Sequence, residues 1–523
     1  MKKCIFDPIV FWIIGIYTLA HGLIFFNKGL YWDDWLWYKL DPNLLLEAGK
    51  QIGAPWAGYI GNYIFSLPNG ITLVHGIVFF SFLLASLSLN GILKNIREMD
   101  DEARLFVVII FTVFPCNLNR VVYSVFQYAF SYGLFFFAFL LFAKYLNGRN
   151  SVLRIISLIL FFISFTTNSL LVFYVLLLFY ILYIEQIAIT NVKLLLTKCI
   201  FYLDVLFLPL VYWGVKQTFL VPYGMYAGYN SFSIMNIIGS PILAIGSFYG
   251  SVVLATDRAV LFWPAPTLMI CLIYFLYRFS QKYAGKELIY DRRFLALGIG
   301  CFFVAVFPYF AVGNFPTLDF HSTRHQLLIP LSVAMILTYG TRLLINRFEI
   351  IKEKEKIRKV MLAVLTVTFI AMNGRIYMDY EKDWYKQLAV IENVRNSPVL
   401  QEHTTFLFQD NTTDLNVFKR NYRFYEYVAF MKQAFGDERR LGLNYEKFYH
   451  GKAEVDGVHF RRKDQYLLSS YQQKSPEYIV RIKRSDVDVT DERILRFMVQ
   501  EWLHPAELKR DVQRLVFITT ENL

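Results

Sequence analysis

The stretch that decides the fold is Ile9-Val10-Phe11-Trp12-Ile13-Ile14-Gly15-Ile16-Tyr17-Thr18-Leu19-Ala20-His21-Gly22-Leu23-Ile24-Phe25-Phe26, followed after four residues by Tyr31-Trp32-Asp33-Asp34-Trp35. An apolar run of this length approaches the ~20 residues a helix needs to cross a bilayer. Two adjacent carboxylates set among large aromatic rings just past its end are costly to desolvate. They are also chemically useful, because an Asp can accept a proton, hold a cation or orient a hydroxyl. The first span and its acidic neighbour therefore predict a membrane enzyme with its site at one face of the bilayer.

Composition carries this outward to the whole chain. The 523 residues are 56% hydrophobic and 18% aromatic, and the mean hydropathy is +0.39. Long apolar runs, not a soluble core, give such values. The formal charge of +12 sits in the apolar half as a positive-inside bias, so no nucleic-acid partner is implied. The five cysteines, Cys4, Cys116, Cys199, Cys271 and Cys301, lie in or beside apolar stretches and show neither a disulfide framework nor zinc spacing. Met1-Lys2-Lys3 ahead of an uncleaved apolar run reads as a retained signal-anchor.

Eleven apolar stretches are candidate spans: 9–26, 71–93, 105–116, 129–146, 155–167, 169–189, 199–216, 259–278, 294–313, 326–345 and 360–375. With the N-terminus cytoplasmic, the basic connections 94–104, 149–154, 193–198, 278–293 and 342–359 all fall on the inner side. The loops 27–70, 117–128, 217–258 and 314–325 and everything after 375 then lie outside. Residues 236–255 are apolar enough to span, but a crossing there would invert the later loops. Gly239, Pro241, Gly246 and Gly250 mark them instead as a broken, re-entrant or interfacial helix.

The predicted architecture is mainly α, a polytopic helix bundle over residues 1–375 with a small external α/β domain over 376–523. In the first loop, 27–70, Asp41 is an N-cap with Pro42 at the first helical position, and Gly49 and Gly53 end a short helix laid on the membrane. Beyond Asp379 the pattern predicts helices at 384–394, 422–434 and 491–503 and strands at 405–408, 478–482 and 515–519.

Asp33 and Asp34 are the candidate catalytic residues, ringed by Tyr31, Trp32, Trp35, Trp37 and Tyr38. The segment Lys28-Gly29-Leu30-Tyr31-Trp32-Asp33-Asp34-Trp35-Leu36-Trp37-Tyr38, placed directly after a first span, resembles the GT-C superfamily of integral-membrane glycosyltransferases. Within it, the segment is most similar to the serotype-converting glucosyltransferases that decorate bacterial O-antigen. The long first loop, about eleven spans and the C-terminal domain extend the likeness over the membrane half. The resemblance implies transfer of a hexose from a polyprenyl-phosphate donor to a glycan or lipid-linked acceptor, at the outer face of a bacterial inner membrane. A first-loop Asp would be the general base, Asp34 being preferred to Asp33, with Tyr31, Trp32 and Trp35 as rings for stacking on sugar.

A lipid-phosphate leaving group calls for a facing cation. The loop 314–326 offers His321, Arg324 and His325 at the start of a helix, and an Arg can hold phosphate with two parallel bonds. Lys28 and Arg120 are further candidates. Some relatives carry a second acidic residue beyond the third helix; here Pro115-Cys116-Asn117-Leu118-Asn119-Arg120 has no carboxylate, which argues for a metal-independent enzyme without cofactor. No P-loop, dinucleotide-binding glycine pattern, nucleophile elbow or zinc signature appears, in keeping with a lipid-linked donor. His75 reads as a core histidine, and Arg461-Arg462-Lys463 as a solvated face. A transporter, flippase or polymerase of lipid-linked sugars is the competing reading. Transporters set charges at mid-membrane, often in repeated halves; here the charged candidates gather at loops and no repeat is visible.

Overall fold

In each of the eleven apolar stretches the described residues are mainly helical, but the helices divide by length. The structure, a computed structural model, describes residues 7–187, 191–228, 231–261, 265–283, 291–318, 322–348, 350, 352–437, 439–449 and 476–523. His321 and the run Arg461-Arg462-Lys463 lie outside these. Among the described residues, six helices are long and apolar enough to cross a membrane: Pro8–Phe26, Gly70–Leu93, Tyr123–Gly148, Asp291–Phe310, Ile329–Arg347 and Lys354–Arg395. Val192–Phe201 and Leu203–Phe219, bent by 60° at their junction, make a seventh if taken as one span.

The remaining four stretches form shorter helices. Asp101–Val113 has 13 residues, Ser151–Ser164 has 14 and Pro266–Ser280 has 15, and Ser169–Ile184 is the fourth. At 1.5 Å per residue a 13-residue helix is about 20 Å long, short of a hydrocarbon core of about 30 Å. Asp101–Val113 is also buried all round from Glu102 onward, so it is a core helix of the bundle. The stretch expected as a broken helix is helical from Ser240 to Leu261, with a π turn at Tyr249–Val253 around Gly250. Ser247 and Ser251 both donate to the Pro316 carbonyl there, at 2.7 and 2.8 Å.

Two glycines set the closest helix approaches. A Cβ on Gly133 would stand 2.7 Å from the Ser81 carbonyl oxygen, so Tyr123–Gly148 meets Gly70–Leu93 backbone to backbone. A Cβ on Gly58 would stand 2.7 Å from the Leu45 carbonyl oxygen, closing the first-loop helices Pro42–Ile52 and Pro55–Ser66 onto each other. Asp41 caps the first of these as expected, accepting from Asn43 N–H at 2.9 Å.

At the end of the bundle away from the first loop, buried charges tie four helices together. Arg342 pairs with Asp100 at 2.7 Å and Asp291 at 3.3 Å. Arg358 grips both oxygens of Glu102 at 2.8 Å, and Lys359 bonds Glu355 at 2.6 Å.

The last span does not stop where its apolar part stops. Lys354–Arg395 is one helix of 42 residues whose second half enters the C-terminal domain. That domain is built on a four-stranded sheet of order β2-β1-β3-β4, with β1 Thr405–Asp410, β2 Leu441–Asn444, β3 Tyr478–Arg484 and β4 Val516–Asn522. β1 runs parallel to β2 and β3, and β4 closes the edge antiparallel to β3. Charges on the long helix are matched inside the domain. Lys386, fully buried, donates to Asp410 and Asn416 at 2.6 Å, and Asp383 accepts from the Tyr422 hydroxyl at 2.6 Å.

Candidate functional site

The turn after the first span is built on a strained residue. Trp32 has φ of 56°, a left-handed conformation uncommon for so bulky a side chain. It folds the Asp34 side chain back toward the chain before it. Asp34 is fully buried and accepts three backbone N–H bonds, from Tyr31 at 3.2 Å, Tyr123 at 3.0 Å and Ser124 at 2.8 Å. Burial pushes its carboxyl up to about 7, against the pull of the three donors and with the help of the negative charge of Asp33.

Asp33 is held differently. It is half-buried and accepts from the Tyr425 hydroxyl at 2.9 Å, a contact across to the helix Phe424–Phe435 of the C-terminal domain. The two carboxylates thus face apart: Asp34 clamps loop to loop, and Asp33 sits at the seam between first loop and C-terminal domain.

The aromatic residues expected to stack on sugar are packed instead. Tyr31, Trp32 and Trp35 are 0%, 4% and 2% exposed. The Tyr31 hydroxyl donates to the Tyr380 carbonyl at 2.7 Å, and Trp35 Nε1 donates to Gln387 Oε1 at 2.8 Å, so both rings fasten the loop to the long helix. Phe430 meets the Trp35 ring edge-on at 5.2 Å from the other side. Lys28 is also engaged elsewhere, its Nζ 4.6 Å over the Trp502 ring and its charge reaching Glu381 and Glu501.

The loop that receives Asp34 also carries Arg120. Four contacts from three elements pin it and the helix end before it. His75 Nε2 donates to the Val121 carbonyl at 2.8 Å, and the Tyr380 hydroxyl donates to Asn119 Oδ1 at 3.0 Å. Asn117 N–H donates to Gln326 Oε1 at 3.3 Å, and Asn373 Nδ2 donates to the Val113 carbonyl at 2.7 Å. Arg120 itself is 7% exposed. Its guanidinium lies 4.1 Å over the Phe82 ring and donates to His21 Nδ1 at 3.3 Å. The Thr112 carbonyl, 3.2 Å from His21 Nε2, accepts a hydrogen bond from that nitrogen, leaving Nδ1 to accept from Arg120 and from the Tyr377 hydroxyl at 3.0 Å. No carboxylate among the described residues pairs with Arg120, and its Nε has no hydrogen-bond partner.

Arg324 and His325 border the same region. They lie in the 3₁₀ turn Ser322–Gln326, with Arg324 Nε donating to His325 Nε2 at 3.3 Å. The His325 ring packs on Tyr309 at 5.2 Å. Gln326, next in the chain, is the partner of Asn117. Arg324 and Arg120 each act electrostatically on a buried tyrosine, Tyr309 and Tyr132. The structure therefore joins Asp34, Arg120, Arg324 and His325 around one loop and places Lys28, Tyr31 and Trp35 at the joint with the long helix.

Sequence reasoning passed over His21, Tyr377, Tyr380 and Tyr425. His21 had a visible signal, an ionisable side chain inside an apolar span. No family model and no curated protein sequence matches the chain.

Proposed function

We propose that the chain is a membrane glycosyltransferase that moves a hexose from a polyprenyl-phosphate donor to a cell-surface glycan or lipid-linked acceptor. The observation that carries the reading is Arg120, a buried guanidinium without a carboxylate partner among the described residues, on the loop whose backbone grips Asp34. A buried charge left uncompensated costs several kcal/mol, and a bound anion removes that cost. Phosphate matches the guanidinium fork.

In the reaction, the acceptor hydroxyl oxygen bonds to the anomeric carbon as the bond from that carbon to the phosphate oxygen breaks. The electron pair leaves with the lipid phosphate, where Arg120 and Arg324 meet the growing charge. The hydroxyl proton passes to a first-loop carboxylate. Asp33 is the base in this scheme, because it is the half-open one of the pair, whereas all of Asp34 is committed to backbone N–H groups. We place this site on the outer face of a bacterial inner membrane, at the end of the first span.

The lipid phosphate is shared by every donor of this class, so its binding tests the reading before the sugar is known. Undecaprenyl phosphate added to the full chain in nanodiscs should raise the melting temperature of the wild type and not that of Arg120→Gln. Equal shifts in both, or none in either, would rule the proposal out.

A further inference from the structure

The helix Asp491–Leu503 is apolar on two faces. Its inner face, Ile494, Phe497 and Met498, is buried in the C-terminal domain, with Phe497 packed edge-on against Tyr385 at 5.3 Å. Its outer face should then be polar, as in a helix that borders water. Instead Leu495, Val499, Trp502 and Leu503 are 49%, 55%, 53% and 66% exposed. Their spacing of i, i+4, i+7 and i+8 makes one continuous stripe.

Both ends of this helix are fixed to places where spans end. Asp491, at its start, pairs with Arg375 at 3.0 Å, where the apolar part of the last span gives way to charge. Trp502, near its end, meets Phe26 edge-on at 6.4 Å, and Phe26 is the last residue of the first span and is itself 42% exposed. Eleven residues of helix separate the two anchors, about 16 Å at 1.5 Å per residue. The axis thus runs from one span's end to another's, along the boundary plane.

We infer that Asp491–Leu503 is a membrane-surface helix whose stripe Leu495, Val499, Trp502 and Leu503 lies in the lipid of the leaflet where the first and last spans end. The composition suits that setting. Trp is favoured at the level of the headgroups. Lys28, stacked over the Trp502 ring, and Arg496, exposed beside the stripe, can keep their stems on the apolar boundary and their charges among lipid phosphates. The bilayer then serves as a floor for the C-terminal domain and holds Tyr425 at its place beside Asp33. A second copy of the chain or a soluble protein could also cover such a stripe, but neither would account for its continuity with two span ends.

The test places a photoreactive benzophenone amino acid at Val499 in the full chain, reconstituted in vesicles of phosphatidylcholine and phosphatidylglycerol. Val499 points outward, so the replacement does not disturb the core. Ile155, on the exposed face of the apolar helix Ser151–Ser164, serves as the site within the bilayer, and exposed Glu507 as the site in water. Illumination should give lipid adducts at 499 at a level like that at 155 and several-fold above that at 507. Adducts to a second chain or to another protein at 499, or no lipid adduct above the 507 level while 155 reacts, would overturn the inference. No lipid adduct at 155 would remove the membrane reading and this inference together.

Discussion

Replacing Asp34 with Asn separates its role from that of Asp33 through pH alone. The folded protein holds the Asp34 proton up to about 7, against an ordinary value of 3.8, which corresponds to about 4 kcal/mol of preference for the protonated form on folding. Because the folded value is raised, this contribution is complete below the unfolded value and is lost as pH rises through about 7. Roughly three-fifths of it disappears between about pH 5 and about pH 8. The amide introduced by Asp34→Asn stays neutral throughout and cannot lose it. At pH 5 the variant should be the less stable protein by about 1 to 3 kcal/mol, because its amide NH₂ faces backbone N–H groups, whereas both oxygens of the protonated carboxyl can still accept from them. That gap should narrow steadily toward pH 8 and close or reverse there. The assay is melting of the full chain in nanodiscs by intrinsic fluorescence across this range, for wild type, Asp34→Asn and Asp33→Asn. Other buried carboxylates titrate alike in all three, so the difference curve isolates position 34. Parallel wild-type and Asp34→Asn curves, or a gap that widens with pH, would refute the argument that burial controls this carboxyl.

Asp33→Asn should keep the wild-type melting temperature, since Asn can still accept from Tyr425, and move the Asp34 pH transition slightly down because the Asp33 charge that helps to raise it is gone, while sugar transfer from membranes to labelled acceptor falls by about 10² to 10⁴; full activity in this variant would move the base elsewhere. Arg120→Lys should retain only part of the binding of undecaprenyl phosphate, measured by thermal shift, because an ammonium lacks the fork and the flat face set over Phe82. Gly133→Ala should cost about 1 to 3 kcal/mol and lower the melting temperature, since the new Cβ would stand 2.7 Å from the Ser81 carbonyl oxygen; an unchanged melting temperature would mean that the two helices are free to part. Arg342→Ala should cost about 3 to 5 kcal/mol by leaving Asp100 and Asp291 buried with their shared cation gone, and an additional Asp291→Asn should recover part of the loss in the same melting assay.

Much of the fold is written in local pattern, and the exceptions have particular causes. The C-terminal helices and strands expected at 384–394, 405–408, 422–434, 478–482, 491–503 and 515–519 all lie on or within two residues of observed elements. β2 was not legible because Leu441–Asn444 has four residues, a central glycine and no β-branched side chain; it is a strand only because Thr405–Phe408 pairs with it. Gly442 is required there, since a Cβ would stand 2.6 Å from Tyr427 Cβ. That the last span and the helix at 384–394 are one continuous helix was not legible for a related reason. Charges from Asp379 to Lys386 resemble a span terminus when their partners are unknown, but Asp410, Tyr422 and Asn416 satisfy them and the helix runs on. Span length was the weakest inference, because apolar composition does not distinguish a helix facing lipid from one buried inside a bundle, as Asp101–Val113 is.

The site shows the same division more sharply. The acidic pair was visible in sequence, yet adjacent and identical side chains have opposite environments, and the cause is the left-handed backbone of Trp32, which no residue type announces. That turn places Asp34 against Tyr123 and Ser124 and so fixes the loop whose earlier residues carry Asn117, Asn119 and Arg120. A carboxylate that consumes the N–H groups of a loop leaves the arginine on that loop to find its counter-charge elsewhere. Asp34 is three residues from the first backbone it grips and four helices from Arg120 in sequence, so only the folded chain brings the acid and the cation to one loop. In the proposed reaction Asp34 touches neither the sugar nor the phosphate. It is a positioning residue, linking where the proton is taken to where the leaving charge is met.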